Sequence, residues 1–194
     1  MKARRASRER KTRETSVSVR LNLEGEGRAR ISTGIPFLEH MLESMARHGR
    51  FDLEIEARGD LKHHLAEDVF IALGEALSQA LGEKAGILRF GEAAVPMDEV
   101  LVLVAVDLSG RPYFSSNLTF SQKRVEGVES ELFPHLLRSL SSSGRFTLHV
   151  LVLREGEDHH KLEATFKALG LALSRAWSIG RGTGVPSTKG VLDG

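Results

Sequence analysis

The sequence predicts an α+β fold built from two similar half-domains, each a β-sheet with helices on one face. An internal repeat covers the helical segments of both halves, alternating apolar strands flank them, and no Pro/Ser-rich linker separates the two copies. At an offset of 95, residues 37–53 (FLEHMLESMARHGRFDL) lie over 132–148 (LFPHLLRSLSSSGRFTL). His40/His135, Leu42/Leu137, Ser44/Ser139, Gly49/Gly144, Arg50/Arg145, Phe51/Phe146 and Leu53/Leu148 are identical. At an offset of 96, residues 63–80 (HHLAEDVFIALGEALSQA) lie over 159–176 (HHKLEATFKALGLALSRA), and eleven of eighteen positions agree. The one-residue change of offset falls between 53 and 63, where a loop absorbs it.

Each half opens with an alternating strand and a turn: VSVRLNL (17–23) leads into EGEG, and VLVLVAVDL (100–108) into SGRP. An apolar helix follows, PFLEHMLESMARHG or LFPHLLRSLSSSG, closed by a glycine in the C-cap region. A short strand comes next, RFDLEIEA or RFTLHVLVL. The second helix, rich in Ala and Leu, runs from about His63 to Leu81 and from about His159 to Trp177. The joint falls near Ala93 to Val95, dividing a first half, 1–93, from a second, 94–194, within one compact unit.

Composition narrows the function classes. The 194 residues are 41% hydrophobic and 27% charged, ordinary globular values. Lys+Arg 27 against Asp+Glu 26 gives no overall drive toward nucleic acid or an anionic membrane. The basic run ARRASRERKTR reads as a flexible or strand-edge segment, with nucleic-acid binding as the lesser alternative. Without cysteine there are no disulfides, thiolate metal sites or cysteine nucleophiles, so any metal must sit on His and carboxylate. No signal peptide or membrane-spanning run is present, and the chain reads as a soluble cytoplasmic protein.

Six of the eight histidines occupy equivalent places in the two halves. Each half supplies one on its first helix (His40, His135) and an HHxxE at the start of its second (His63, His64, Glu67; His159, His160, Glu163). Helix positions i and i+3 or i+4 share a face, so each Glu can join either His at a metal. Adjacent histidines point about 100° apart and serve two separate ions better than one. The ligands divide into two sets of three His and one Glu, a donor set suited to catalytic Mn, Fe, Co, Ni or Zn. His48 and His149 have no counterparts. Arg89 in GILRFG, Arg111 in SGRP, and Ser187, Thr188 and Lys189 in GVPSTKG place cationic and hydroxyl groups on glycine-bounded turns, as a phosphate requires.

RKTRET (10–15), STGIPFLEHML (32–42), HGRFDL (48–53), HHLAED (63–68), RFGEAAVPMDE (89–99), VDLSGRP (106–112), HHKLEATFKAL (159–169) and PSTKG (186–190), in this order, resemble the imidazoleglycerol-phosphate dehydratase family of histidine biosynthesis. The resemblance runs from about Arg10 to Leu192 and implies a duplicated fold of the ribosomal protein S5 domain 2-like kind. It implies a lyase that dehydrates imidazole glycerol phosphate to imidazole acetol phosphate. It also implies two Mn2+ ions per active site and a homo-oligomer of 24 subunits built from trimers, with active sites between subunits. Carried over, the metal ligands fall on His40, His63, His64, Glu67, His135, His159, His160 and Glu163. Phosphate contacts fall on Arg89, Arg111, Ser187 and Lys189, a substrate-contacting histidine on His48, and the acid/base carboxylate on Glu14; His40 and His63 also face substrate. The chain departs from the family pattern in the short GDLKHH segment and at Leu65 and Phe70, where Thr and Gly are usual.

The chemistry implied needs an electron sink, because the proton to be removed lies on a carbon with no neighbouring carbonyl. Metal ions holding the substrate imidazole as imidazolate would provide one. A carboxylate base then takes the proton while phosphate contacts position the glycerol chain. A metal-storing histidine-rich oligomer is the competing reading, and it has no use for Arg89, Arg111 and Lys189. A different metal lyase or hydrolase on the same scaffold is the third.

Overall fold

The structure is a computed structural model and describes residues 4–188, 190 and 192. The first sheet contains β1 (Arg5–Lys11), β2 (Thr15–Asn22), β3 (Ala29–Ser32) and β4 (Asp52–Gly59), in the order β1-β2-β4-β3. The second contains β5 (Phe90–Met97), β6 (Val100–Asp107), β7 (Tyr113–Ser116) and β10 (Thr147–Arg154), in the order β5-β6-β10-β7. The same strand order, with the same mixture of antiparallel and parallel pairs, is the structural form of the sequence repeat. A small hairpin, β8 (Arg124–Val125) and β9 (Val128–Glu129), is extra to the second half.

The four helices are α1 (Pro36–Gly49), α2 (Lys62–Leu81), α3 (Leu132–Gly144) and α4 (Asp158–Trp177). α2 lies on β1 and β2, and α4 on β5 and β6. Between halves, α1 packs on α4 and α2 on α3, as a pseudo-twofold exchanging α1 with α3 and α2 with α4 requires. The helices thus form the middle of the molecule, with strands such as β2 and β6 burying alternate residues toward them. Phe70 and Phe166, equivalent residues, meet edge to face across this centre at 6.1 Å.

Glycine makes the crossings close. A Cβ on Gly49 would come within 2.7 Å of the Gly170 carbonyl oxygen, and one on Gly74 within 2.7 Å of the Gly144 nitrogen. These are the same contact in its two pseudo-symmetric copies. Glycine was expected at positions 49 and 144 as a C-cap, and here the structure differs. The left-handed cap residues are Arg50 and Arg145, both at φ 54, and the glycines are the last helical residues, required by packing.

The second half also begins earlier than its strand pattern indicates. β5 starts at Phe90 and pairs along its length with β6, so residues 93 and 94 lie inside one strand and 100–108 is not the opening strand. The basic N-terminal run is the edge strand β1, antiparallel to β2. The offset change falls in the β–α connections: residues 60–61 join β4 to α2, and 155–157 join β10 to α4.

Candidate functional site

The helix starts are held so that their histidines have fixed directions. Pro36 sets the first turn of α1, and Glu39 reaches back to accept the N–H groups of Thr33 (2.6 Å) and Gly34 (2.8 Å). In α4, the Glu157 side chain accepts the His160 N–H at 3.1 Å. Asp158 is fully buried and accepts from Ser121 Oγ and from the N–H groups of Ser121 and Gln122. Lys161, also buried, bridges Asp158 and Glu155 at 2.9 Å each.

The histidines then gather crosswise. His40, from the first half, meets His159 and Glu163 from the second, with its Nε2 3.5 Å from Glu163 Oε2 and His159 Nε2 3.2 Å from the same oxygen. These three offer donor atoms within 4.8 Å of one another. In the pseudo-symmetric position His135 Nε2 lies 3.0 Å from Glu67 Oε1. His63 does not complete this second set in the way His159 completes the first; its ring rests edge-on against His64, with centroids 4.1 Å apart. The second histidine of each pair turns instead to the first hairpin of its own half. His64 Nδ1 lies 2.8 Å from Glu14 Oε2 in the β1–β2 turn, and His160 Nδ1 lies 3.3 Å from Glu99 Oε2 in the β5–β6 turn, with Asp98 close by. His159 and His160 diverge into different clusters, as adjacent helix positions do, whereas the His63 and His64 rings stay together.

The electrostatics favour ligands in their binding forms. Burial pushes the Glu163 carboxyl up, but the Lys167 ammonium at 2.8 Å and His40 outweigh it and hold it below the ordinary carboxylate value. Backbone N–H donation from Glu157, with His160 adding to it, likewise lowers Glu99. His48, further along α1, has its pKa lowered first by burial and then by Lys167. Lys167 escaped notice in the sequence. Its one signal was a break in the repeat, where the equivalent residue is Ile71.

An open cleft of about 350 Å³ is lined by Thr12, Arg13, Glu14, His64, Glu67 and Asp68, so Glu14 and Glu67 face one space. The phosphate candidates lie elsewhere. Arg89 holds Asp107 bidentately, Nε to Oδ1 at 2.7 Å and an Nη to Oδ2 at 3.1 Å, and donates to the Pro186 carbonyl at 3.0 Å. The Asp107 bonds raise its pKa further. Three of its five donors are therefore committed and two remain for a ligand. Arg111 is exposed in the turn beyond β6, and Ser187 is half-buried beside Pro186. Lys189 lies outside the described residues. Leu65 and Phe70, where the chain departs from the family pattern, are buried in the core and line no part of the cleft.

Duplicated α+β halves with histidine–carboxylate clusters between their helices define a protein with the donor groups of a His/carboxylate metal site. A family model described as Imidazoleglycerol-phosphate dehydratase matches residues 33–173. The chain belongs to the imidazoleglycerol-phosphate dehydratase family. It is 54% identical over 195 residues to the imidazoleglycerol-phosphate dehydratase of Chloroflexus aggregans, covering 98% of this chain and 95% of that protein. It is 50% identical over 192 residues to that of Methanothermobacter thermautotrophicus, covering 97% and 98%. Among solved structures, that of the Pyrococcus furiosus protein in complex with (S)-C348 superposes with a TM-score of 0.84 at 39% identity, covering 95% of this chain and 99% of that one. The Staphylococcus aureus dehydratase superposes with the same TM-score at 35% identity, covering 91% and 99%.

Proposed function

We propose that this chain dehydrates imidazole glycerol phosphate to imidazole acetol phosphate in histidine biosynthesis, using divalent metal, manganese on the family pattern, at two positions per site. The observation that carries the reading is the crosswise cluster of His40, His159 and Glu163, repeated in part by His135 and Glu67. The donors are all imidazole and carboxylate on a chain without cysteine, a set that fits manganese and its neighbours. His40, His159 and Glu163 would hold one ion, while His64, His160, His63, His135 and Glu67 supply the remaining ligands. An ion held there would supply Lewis acidity toward the substrate's imidazole, the electron sink that the elimination otherwise lacks.

The chain's own groups do the rest. Glu14 presents an exposed carboxylate in the cleft and takes the carbon-bound proton on a carboxylate oxygen, the hydroxyl of the neighbouring carbon leaves so that water is lost overall, and the enol formed ketonises. His48 contributes a substrate contact beside Glu163 and Lys167. Arg89, Arg111, Ser187 and Lys189 bind the phosphate and orient the glycerol chain, and Asp107 keeps the Arg89 plane fixed.

Position supports an assembled enzyme. The Arg89 N–H donates to the Ala176 carbonyl at the C-terminal end of α4, while His159 stands at its N-terminal end. At the helical rise these positions are about 25 Å apart, several times the length of a three-carbon phosphate ester. That separation of Arg89 from the His159 end of α4 supports a reading in which the phosphate contacts meeting one chain's metal ligands come from another copy. We infer a homo-oligomer, a 24-subunit particle built from trimers on the family pattern, in which a neighbouring copy supplies the phosphate contacts. The deciding experiment is turnover of imidazole glycerol phosphate by the metal-free protein with and without added Mn2+. Metal-dependent product formation is expected, and no turnover in either case overturns the reading.

A further inference from the structure

Asp68 follows the ligand Glu67 and is buried at the edge of the cleft, and its hydrogen bonds go to the β1–β2 hairpin. Its Oδ1 accepts from Arg10 Nε at 2.6 Å, and its Oδ2 accepts a very short hydrogen bond from Thr15 Oγ1. Thr15 is itself buried and lies 2.9 Å, oxygen to oxygen, from Thr12 Oγ1. Thr12 Oγ1 receives the backbone N–H groups of Glu14 at 3.1 Å and Thr15 at 3.0 Å.

The directions of these bonds are forced. An ionised carboxylate can only accept, so Thr15 must donate its one hydroxyl proton to Asp68. The Thr15 oxygen is then an acceptor for Thr12, whose own oxygen is left to accept the N–H of Glu14. The chain runs from Glu14 through Thr12 and Thr15 to a buried charge, each bond polarising the next. Arg10, from the opposite strand of the same hairpin, ties down the other carboxylate oxygen.

We propose that Asp68, acting through Thr15 and Thr12, is a positioning residue that fixes the hairpin turn so that the Glu14 carboxylate stands at the cleft beside His64. The inference rests on the reading of Glu14 as the acid/base group. It assigns a role to RKTRET as a unit: Arg10, Thr12 and Thr15 are the frame, and Glu14 is the group framed. A general base is worth about 10² to 10⁴ in rate, and a misplacement of about 1 Å can cost about 10²-fold without loss of binding.

The test compares Mn-loaded Thr12→Val, Thr15→Val, Thr15→Ser and Glu14→Gln proteins, with metal content and particle mass measured for each. Thr12 is exposed, so Thr12→Val breaks the chain without touching the core and decides the matter even where Thr15→Val folds poorly. Both Val variants are expected to lose kcat by at least about 10-fold with KM within about twofold and metal content unchanged. Thr15→Ser, which keeps the hydroxyl, restores most of that loss. Parental kcat in Thr12→Val alongside a crippled Glu14→Gln overturns the positioning role and leaves the base intact. Parental kcat in Glu14→Gln overturns the reading of Glu14 itself and the present inference with it. A Thr15→Ser protein as slow as Thr15→Val also overturns the positioning role.

Discussion

Nε2 of His40 lies 3.5 Å from Oε2 of Glu163, although 123 residues and the whole pseudo-twofold separate them. The contact exists because α1 crosses α4 where glycine permits close approach, so the cluster depends on the relation between halves as much as on either half.

Glu163→Gln keeps the shape of this site but removes the charge that a divalent ion needs. Metal content by elemental analysis is expected to fall, with turnover falling with it. Glu67→Gln, against His135, is expected to behave likewise. Either variant with full metal and full activity would remove that carboxylate from the ligand set.

Gly74→Ala places a methyl 2.7 Å from the Gly144 nitrogen and the Leu140 carbonyl, both backbone atoms that cannot step aside. Overpacking of this kind costs about 1–3 kcal/mol, and Tm is expected to fall by roughly 2–12 °C for a chain of this size. Gly182→Ala, whose methyl meets nothing within 4 Å, serves as the control and is expected to leave Tm unchanged.

Crosswise contacts of this kind were not legible in the sequence, although much else was. The repeat marked His40 with His135 and each HHxxE with the other, because identical residues at one offset need no structural knowledge. It could not say that α1 would pack on α4, since periodicity describes the face of a helix and not its partner. β1 was obscured because Ala6 is the one buried position in a run of charges. The start of β5 was obscured by Gly91, which interrupts the apolar alternation because a Cβ there would lie 2.7 Å from the Ala176 nitrogen of α4. Lys167 replaces an apolar residue of the repeat, and only its proximity to Glu163 and His48 gives it meaning.

The Asp158–Lys161 pair predicts a pH dependence of stability. Burial opposes the Asp158 charge, but Lys161 and the N–H groups of Ser121 and Gln122 overcome it, so its folded pKa is lowered. Its contribution is complete above the ordinary carboxylate value of about 3.9 and is lost as pH falls through the lower folded value. Burial likewise opposes the Lys161 charge, while Glu155 and Asp158 raise its pKa, so that contribution is complete below about 10.4 and is lost as pH rises through the raised value. Asp158→Asn is expected to cost about 3 kcal/mol at neutral pH and to flatten the acid limb of a Tm-versus-pH curve. An unchanged acid limb would mean that other carboxylates govern it.

Chelation tests the proposed assembly. If ligands from neighbouring copies share ions, removing the metal is expected to shift the light-scattering mass to smaller species, with recovery on adding Mn2+. Full mass after chelation would show that protein contacts alone hold the particle.

Crosswise pairing also has an evolutionary consequence. A two-fold homodimer of a single ancestral half would already contain both clusters, because each copy would lend its first-helix histidine to the HHxxE of the other. Covalent fusion of two such halves would make no new site; it would release the two halves from identity. Lys161 where the first half has Leu65, and Lys167 where it has Ile71, are places where the two halves differ in this way.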